Sequence, residues 1–204
     1  MKIKEVAIHN FRSIKDLTFR LNDYSLLIGP NNSGKTNIID ALRLFYEKEK
    51  FDSEDIPKFG TDDQESWIEI DFQLTNEEFL NLKDDYKQDS NSLKVRKYLR
   101  SSDRSKVKSN QSNIYGYEKG SLSNNLFYGA KNISEAKLGD IIYIPEIAKV
   151  DDYTKLTGPS AFRGLLEFVV KKVVRNSPSF DSLSQSFVDF NKKFKEEASK
   201  DGLS

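Results

Sequence analysis

Tyr24-Ser25-Leu26-Leu27-Ile28 runs directly into Gly29-Pro30-Asn31-Asn32-Ser33-Gly34-Lys35-Thr36, and this stretch decides the fold. The first part is a short apolar run of the kind expected from a strand covered on both faces. After the glycines, Ile38, Ala41, Leu42 and Phe45 recur at helical spacing and predict a helix from Lys35 to about Tyr46. The order is strand, glycine loop, helix. The loop fits G-x-x-x-x-G-K-[ST], in which glycines let the backbone curl so that its amides face phosphate oxygens. Lys35 would neutralise the β- and γ-phosphates of a nucleotide, Thr36 would offer its hydroxyl to Mg²⁺, and the helix would aim its partial positive end at the anion. ATP and Mg²⁺ are therefore the expected ligands, with Gly29, Asn31, Asn32, Ser33, Gly34, Lys35 and Thr36 as contacts and Thr36 as the metal contact. The plainer alternative is a glycine-containing turn with no ligand.

Upstream, Ile3, Val6 and Ile8 alternate, and so do Leu17, Phe19 and Leu21, with a polar turn at Arg12 and Ser13 between them. That pattern predicts a hairpin. Downstream, residues 47 to 65 read as a loop, and Trp67 to Leu74 as an alternating strand. Thr75 with Glu78 has the form of a capping box opening a helix through about Tyr86. Residues 93 to 100 and 113 to 118 read as strands, with a turn over Glu118, Lys119 and Gly120. Ile141 to Pro145 reads as a buried strand. Phe162, Leu165, Leu166, Val169 and Val173 mark one helix; Phe180, Leu183, Phe187, Phe190 and Phe194 form a two-heptad seam on another.

Composition removes several classes of chemistry. Lys plus Arg and Asp plus Glu both number 32, so overall charge names no partner. The chain has no cysteine and one histidine, His9, which leaves disulfides, zinc fingers and histidine-based triads without material. No apolar run approaches the roughly 20 residues of a membrane span, and the first residues lack a signal peptide's apolar stretch. A cytoplasmic protein is expected.

Around the loop, Asn32 precedes the last glycine and Asn37 follows Thr36, and the chain opens with a strand into His9-Asn10-Phe11-Arg12-Ser13. Over about the first 45 residues this resembles the amino terminus of the RecF-like and chromosome-maintenance-like branch of ABC ATPases. Within that branch it most resembles the ATPase half of overcoming-lysogenisation-defect (OLD) family ATP-dependent endonucleases, which include Gabija-type anti-phage nucleases. The resemblance implies an α/β fold (α+β mixed sheet), an ABC-type P-loop NTPase half-domain over 1–158, with a helical arm or dimerisation region beginning at 159–204. It also implies Arg12 and Ser13 near the nucleotide phosphates, where the plainer reading is an exposed turn. Asn32 and Asn37 are either nucleotide contacts or ordinary asparagine caps of a tight loop. DNA and a second copy are the implied partners.

Other elements of that family are missing. No hydrophobic strand ends in adjacent Asp-Glu, and Ser182 to Ser186 lacks the glycines of a signature loop. These elements and the metal-dependent nuclease follow the arm in the resembled family, so a fragment or a split protein is expected. Gln73, at a strand end, reads more simply as an exposed polar residue than as a magnesium contact. From Glu47 to Asp85 there are 14 acidic and 4 basic residues, and from Lys94 to Lys108 there are 7 basic and 1 acidic. The basic run either meets a DNA backbone or is neutralised by the acidic stretch, the reading we favour. The phenylalanine seam pairs either with a second copy or with the preceding helix.

Overall fold

The computed structural model describes residues 1–88, 91–144, 161–174, 182 and 185–189. The chain divides into a unit of Met1–Ile141 and a unit of Ile142–Ser204.

The first unit is an α/β structure built on a six-stranded sheet, β1 (Lys2–Phe11), β2 (Ile14–Arg20), β3 (Ser66–Gln73), β4 (Ser92–Arg100), β5 (Ile114–Glu118) and β6 (Ser121–Leu126), in the order β2-β1-β3-β4-β5-β6. All of its described ladders are antiparallel. Alternation sorts the two faces. Val6 lies opposite Ile70 and Ile70 opposite Val95, so one apolar row crosses three strands, and all three residues are fully buried. The helix α1 (Lys35–Phe45) covers this face with Ala41, Leu42 and Phe45, and the rings of Phe45 and Phe72 lie 6.5 Å apart. Burying one such phenylalanine stabilises the unit by about 1.5 to 3 kcal/mol.

Lys97 interrupts the apolar pattern of β4, being buried on the inner face. Its Nζ donates to the Phe45 carbonyl at 3.2 Å and to Glu47 Oε1 at 3.0 Å, closing the carboxyl end of α1 where carbonyls lack helical partners. Glu47 Oε2 in turn accepts from the Ile133 amide at 2.9 Å, tying in the short helix α3 (Ile133–Ala136). Burial pulls the Lys97 ammonium below the usual lysine range, against the pull of Glu47.

The hairpin, the helix after the glycine loop and the strands near 67, 93 and 114 form where the sequence puts them. The Thr75 capping box is present in both directions, Glu78 N to Thr75 Oγ1 at 3.2 Å and Thr75 N to Glu78 Oε2 at 2.9 Å. Its helix, α2 (Asn76–Leu80), is shorter than expected, with only a 3-10 turn at Asp84–Tyr86 beyond it. The turn after Glu118 leads into β6, which the sequence did not announce.

Two expectations are overturned. Tyr24–Ile28 and the described part of the 141–145 segment are not strands. A strand covered on both faces needs hydrogen-bonded neighbours at its edges and layers above and below. No described ladder reaches either segment, and Tyr24 and Ile28 are 81% and 84% exposed.

In the second unit, helix α4 (Ala161–Val174) forms as its periodicity predicts, and Leu165, Leu166, Val169 and Val170 on it are exposed. Of the phenylalanine seam, Phe187 is helical and exposed; Phe180, Leu183, Phe190 and Phe194 lie outside the described residues. Among the described residues, no helix is long and apolar enough to cross a membrane.

Candidate nucleotide-binding site

The glycine loop turns tightly from Pro30, whose carbonyl accepts from the Ser33 amide at 3.3 Å, into α1. Gly34 caps the helix in the left-handed region, φ 89°, where a Cβ is disfavoured. At Gly29 an added Cβ would lie 2.9 Å from Ser33 Oγ. Asn32 sits at φ 64°, so its backbone supplies one reason for asparagine there. No side chain caps α1 and no acidic residue occupies its first turn, so the positive end of the helix is not neutralised from within. Lys35 folds over its own loop, donating to the Gly29 carbonyl at 2.8 Å and the Pro30 carbonyl at 2.6 Å, with Ser33 Oγ at 3.4 Å. Asn31, Asn32, Ser33 and Thr36 lie at the same end, all four exposed.

The β1–β2 turn docks beside this loop. Asn37 Nδ2 donates to Ser13 Oγ at 2.8 Å, and a Cβ on Gly34 would stand 3.4 Å from that same oxygen. Arg12 is not a free turn residue. Its Nη1 donates to Asp40 Oδ2 at 2.5 Å and more weakly to Asn37 Oδ1 at 3.4 Å, and its Nε donates to Asp55 Oδ1 at 2.8 Å. Burial disfavours the charged guanidinium, but the two carboxylates outweigh that and raise its pKa. Arg12, Ser13 and Asn37 are thus brought together at the first turns of α1. An open cleft of about 790 Å³ lies along the Asn37, Asp40 and Arg43 flank of α1 and reaches Asp55; residues 29 to 36 do not line it.

Asp40 and Asp55 were missed in the sequence. Asp40 has a legible signal, three residues after Asn37 on the same helical face. Asp55 has none, being 43 residues from its partner in a polar loop.

The remaining candidates have partners within the fold. Gln73 is exposed and donates to the Asn91 carbonyl. His9 lies between Asp16, 2.6 Å from Nδ1, and Asp63, 3.2 Å from Nε2, and stacks on Trp67. The basic run is largely paired with the acidic stretch: Lys94 and Arg96 reach Glu69, each at 2.8 Å, Lys106 reaches Glu65 at 2.9 Å, and Lys97 points inward. Arg96 also lies 3.8 Å over the Trp67 ring.

Glu69 gives a pH prediction. Burial opposes its ionisation, but hydrogen bonds from Lys94 and Tyr117 and the charge of Arg96 hold its carboxyl below the usual range. A depressed folded pKa means this contribution is present above the unfolded carboxyl value, about 4.3, and is lost as pH falls through the folded one. Urea midpoints should therefore drop between pH 6 and pH 3, and Glu69→Gln should flatten the drop below about pH 4.5. Parallel curves for the two proteins would refute the assignment.

A family model described as an AAA ATPase domain (AAA_15) matches residues 1–197. Endonuclease GajA of Bacillus cereus (strain VD045) is 37% identical over 60 residues, 29% of this chain and 9% of that protein. The DNA replication and repair protein RecF of Rickettsia canadensis (strain McKiel) is 42% identical over 45 residues, 22% of this chain and 12% of that protein. The chain therefore matches only about a tenth of the length of these curated relatives. Among solved structures, one described under ATP-driven dimerization and DNA-stimulated activation of SMC ATPases aligns with a TM-score of 0.44 and 14% identity, over 90% of this chain and 96% of that one.

Proposed function

Because the chain belongs to the AAA ATPase domain family AAA_15, we propose that it is the ATP-binding segment of an ATP-regulated DNA endonuclease of the OLD type, acting in anti-phage defence, with residues 1–158 as the ATPase part and the arm beginning at 159. One observation carries the nucleotide assignment: a long-stemmed cation, Lys35, lies over a glycine loop that holds Gly34 in the left-handed region, where a Cβ is disfavoured, at an uncapped helix end. That donor set suits a polyphosphate. Lys35 would exchange its own loop carbonyls for the β- and γ-phosphates, Thr36 would face Mg²⁺, and Ser13, Asn31, Asn32, Ser33 and Asn37 would line the same end. Bound ATP would supply the charge that draws these groups into one arrangement. The likeness to endonuclease GajA over 60 residues supports the nuclease reading, and the likeness to RecF supports a second: a DNA-repair ATPase without nuclease. DNA and a second copy are the proposed partners in the intact protein.

Titration calorimetry tests the nucleotide assignment. Lys35→Ala should weaken MgATP binding by about 2 to 4 kcal/mol, the scale of a charge-assisted contact in a partly enclosed site. Equal affinity in mutant and parent would remove it. ATP-dependent nicking of plasmid DNA by the intact protein separates the nuclease from the repair ATPase.

A further inference from the structure

We propose that Asp55, together with Asp40, positions Arg12 for the nucleotide phosphates, an inference that rests on the nucleotide-binding reading above. The hairpin turn places Arg12 at φ 50°, a conformation that a side chain with a Cβ adopts only when its surroundings impose it. Asp55 holds Arg12 at two points, backbone and side chain. Its carbonyl accepts from the Arg12 amide at 2.9 Å and its carboxylate accepts from Arg12 Nε at 2.8 Å. Asp55 is itself only 3% exposed and its second oxygen accepts from the Asp52 amide at 3.0 Å, so the carboxylate cannot swing with the arginine.

Asp40 grips the neighbouring edge of the guanidinium. It stands on α1, the helix that the glycine loop opens, and Arg43 holds its other oxygen at 3.1 Å. Nε and Nη1 are thereby committed to two fixed carboxylates, while Nη2 makes no hydrogen bond among the described residues and the Arg12 side chain remains about one-third exposed. A planar guanidinium gripped at Nε and Nη1 has the remaining Nη2 aimed, and its rotamer freedom is already lost before a ligand arrives. Ser13, the next residue, lies against Gly34, which puts the aimed Nη2 group on the turn adjoining the phosphate loop.

The same contacts admit an opposite consequence: two carboxylates that merely compete with phosphate for Arg12. The two differ in sign. If Asp55 and Asp40 position Arg12, Asp55→Asn and Asp40→Asn each weaken MgATP binding by about tenfold. In an Arg12→Ala background the same substitutions then change affinity less than about twofold, because nothing is left to aim. A purely structural role would leave the loss intact in that background. Calorimetric titration of the four-member cycle, with thermal melting of each variant to show that it is folded, reads this directly. Tighter binding by Asp55→Asn and Asp40→Asn, or a loss undiminished by Arg12→Ala, overturns the proposal. If Asp55→Asn does not fold, the Asp40→Asn cycle decides alone. Lys35→Ala in the same series keeps the two readings apart: loss of binding there with no effect of Arg12→Ala sinks only this proposal, and unchanged binding sinks both.

Discussion

Lys97→Ala is expected to destabilise the domain by about 3 to 5 kcal/mol, the range for breaking a buried ion pair by removing one partner. Three losses coincide there. The Phe45 carbonyl at the end of α1 loses its donor, Glu47 keeps a charge without its cation, and the apolar stem of the lysine leaves a void beneath the sheet. Lys97→Met separates them, since it refills the void and removes only the ammonium. It should recover part of the loss, and adding Glu47→Gln to Lys97→Met should recover more by removing the stranded carboxylate. Urea unfolding monitored at the single tryptophan, Trp67, measures all three. A cost below about 1 kcal/mol for Lys97→Ala would mean that the carbonyl and Glu47 find water instead, as at an exposed pair. The glycine loop sits at one end of the 11-residue α1 and Lys97 closes the other.

What was legible in the sequence was local. The glycine loop, the amphipathic α1 and the Thr75 capping box depend on residues within one or two turns of each other, so their spacing shows them. The hairpin of β1 and β2 is legible for the same reason. Tyr24–Ile28 failed because an apolar run states only that a segment is suited to burial; whether neighbouring strands cover it depends on long-range pairing. Lys97 failed in the other direction, since a lysine in a strand that carries several cations gives no sign that it faces inward. The Arg12 clamp shows the limit at the site itself. Asp40 follows from helical spacing, but Asp55 meets Arg12 only because the loop over residues 49–59 folds back across the β1–β2 turn.

The 204-residue chain, on its own, should bind ATP and yet turn it over at background rate, below about 0.001 per second. In the ABC-like ATPases it resembles, hydrolysis needs a glutamate to polarise water, an aspartate for the metal and a glycine-rich signature that approaches the γ-phosphate from a second subunit. None of these has a counterpart in the sequence, where no apolar strand ends in Asp-Glu and residues 182–186 read SLSQS. Loss of a general base costs about 10² to 10⁴ in rate, and loss of a charge-stabilising donor about 10² to 10³. From an ordinary turnover of about 1 per second either loss alone brings the rate close to the limit, and both together pass well below it. A dimer would not repair this, because each copy brings the same loop and neither brings its complement. Arg12, paired with Asp40 and Asp55, supplies charge but no base. Phosphate release by the purified chain, compared with Lys35→Ala to exclude a contaminating ATPase, is the measurement. Turnover near about 1 per second that disappears in the mutant would show that the chain holds a water-polarising group of its own. Glu146, which follows the apolar 141–145 run and lies outside the described residues, would then be the first carboxylate to substitute.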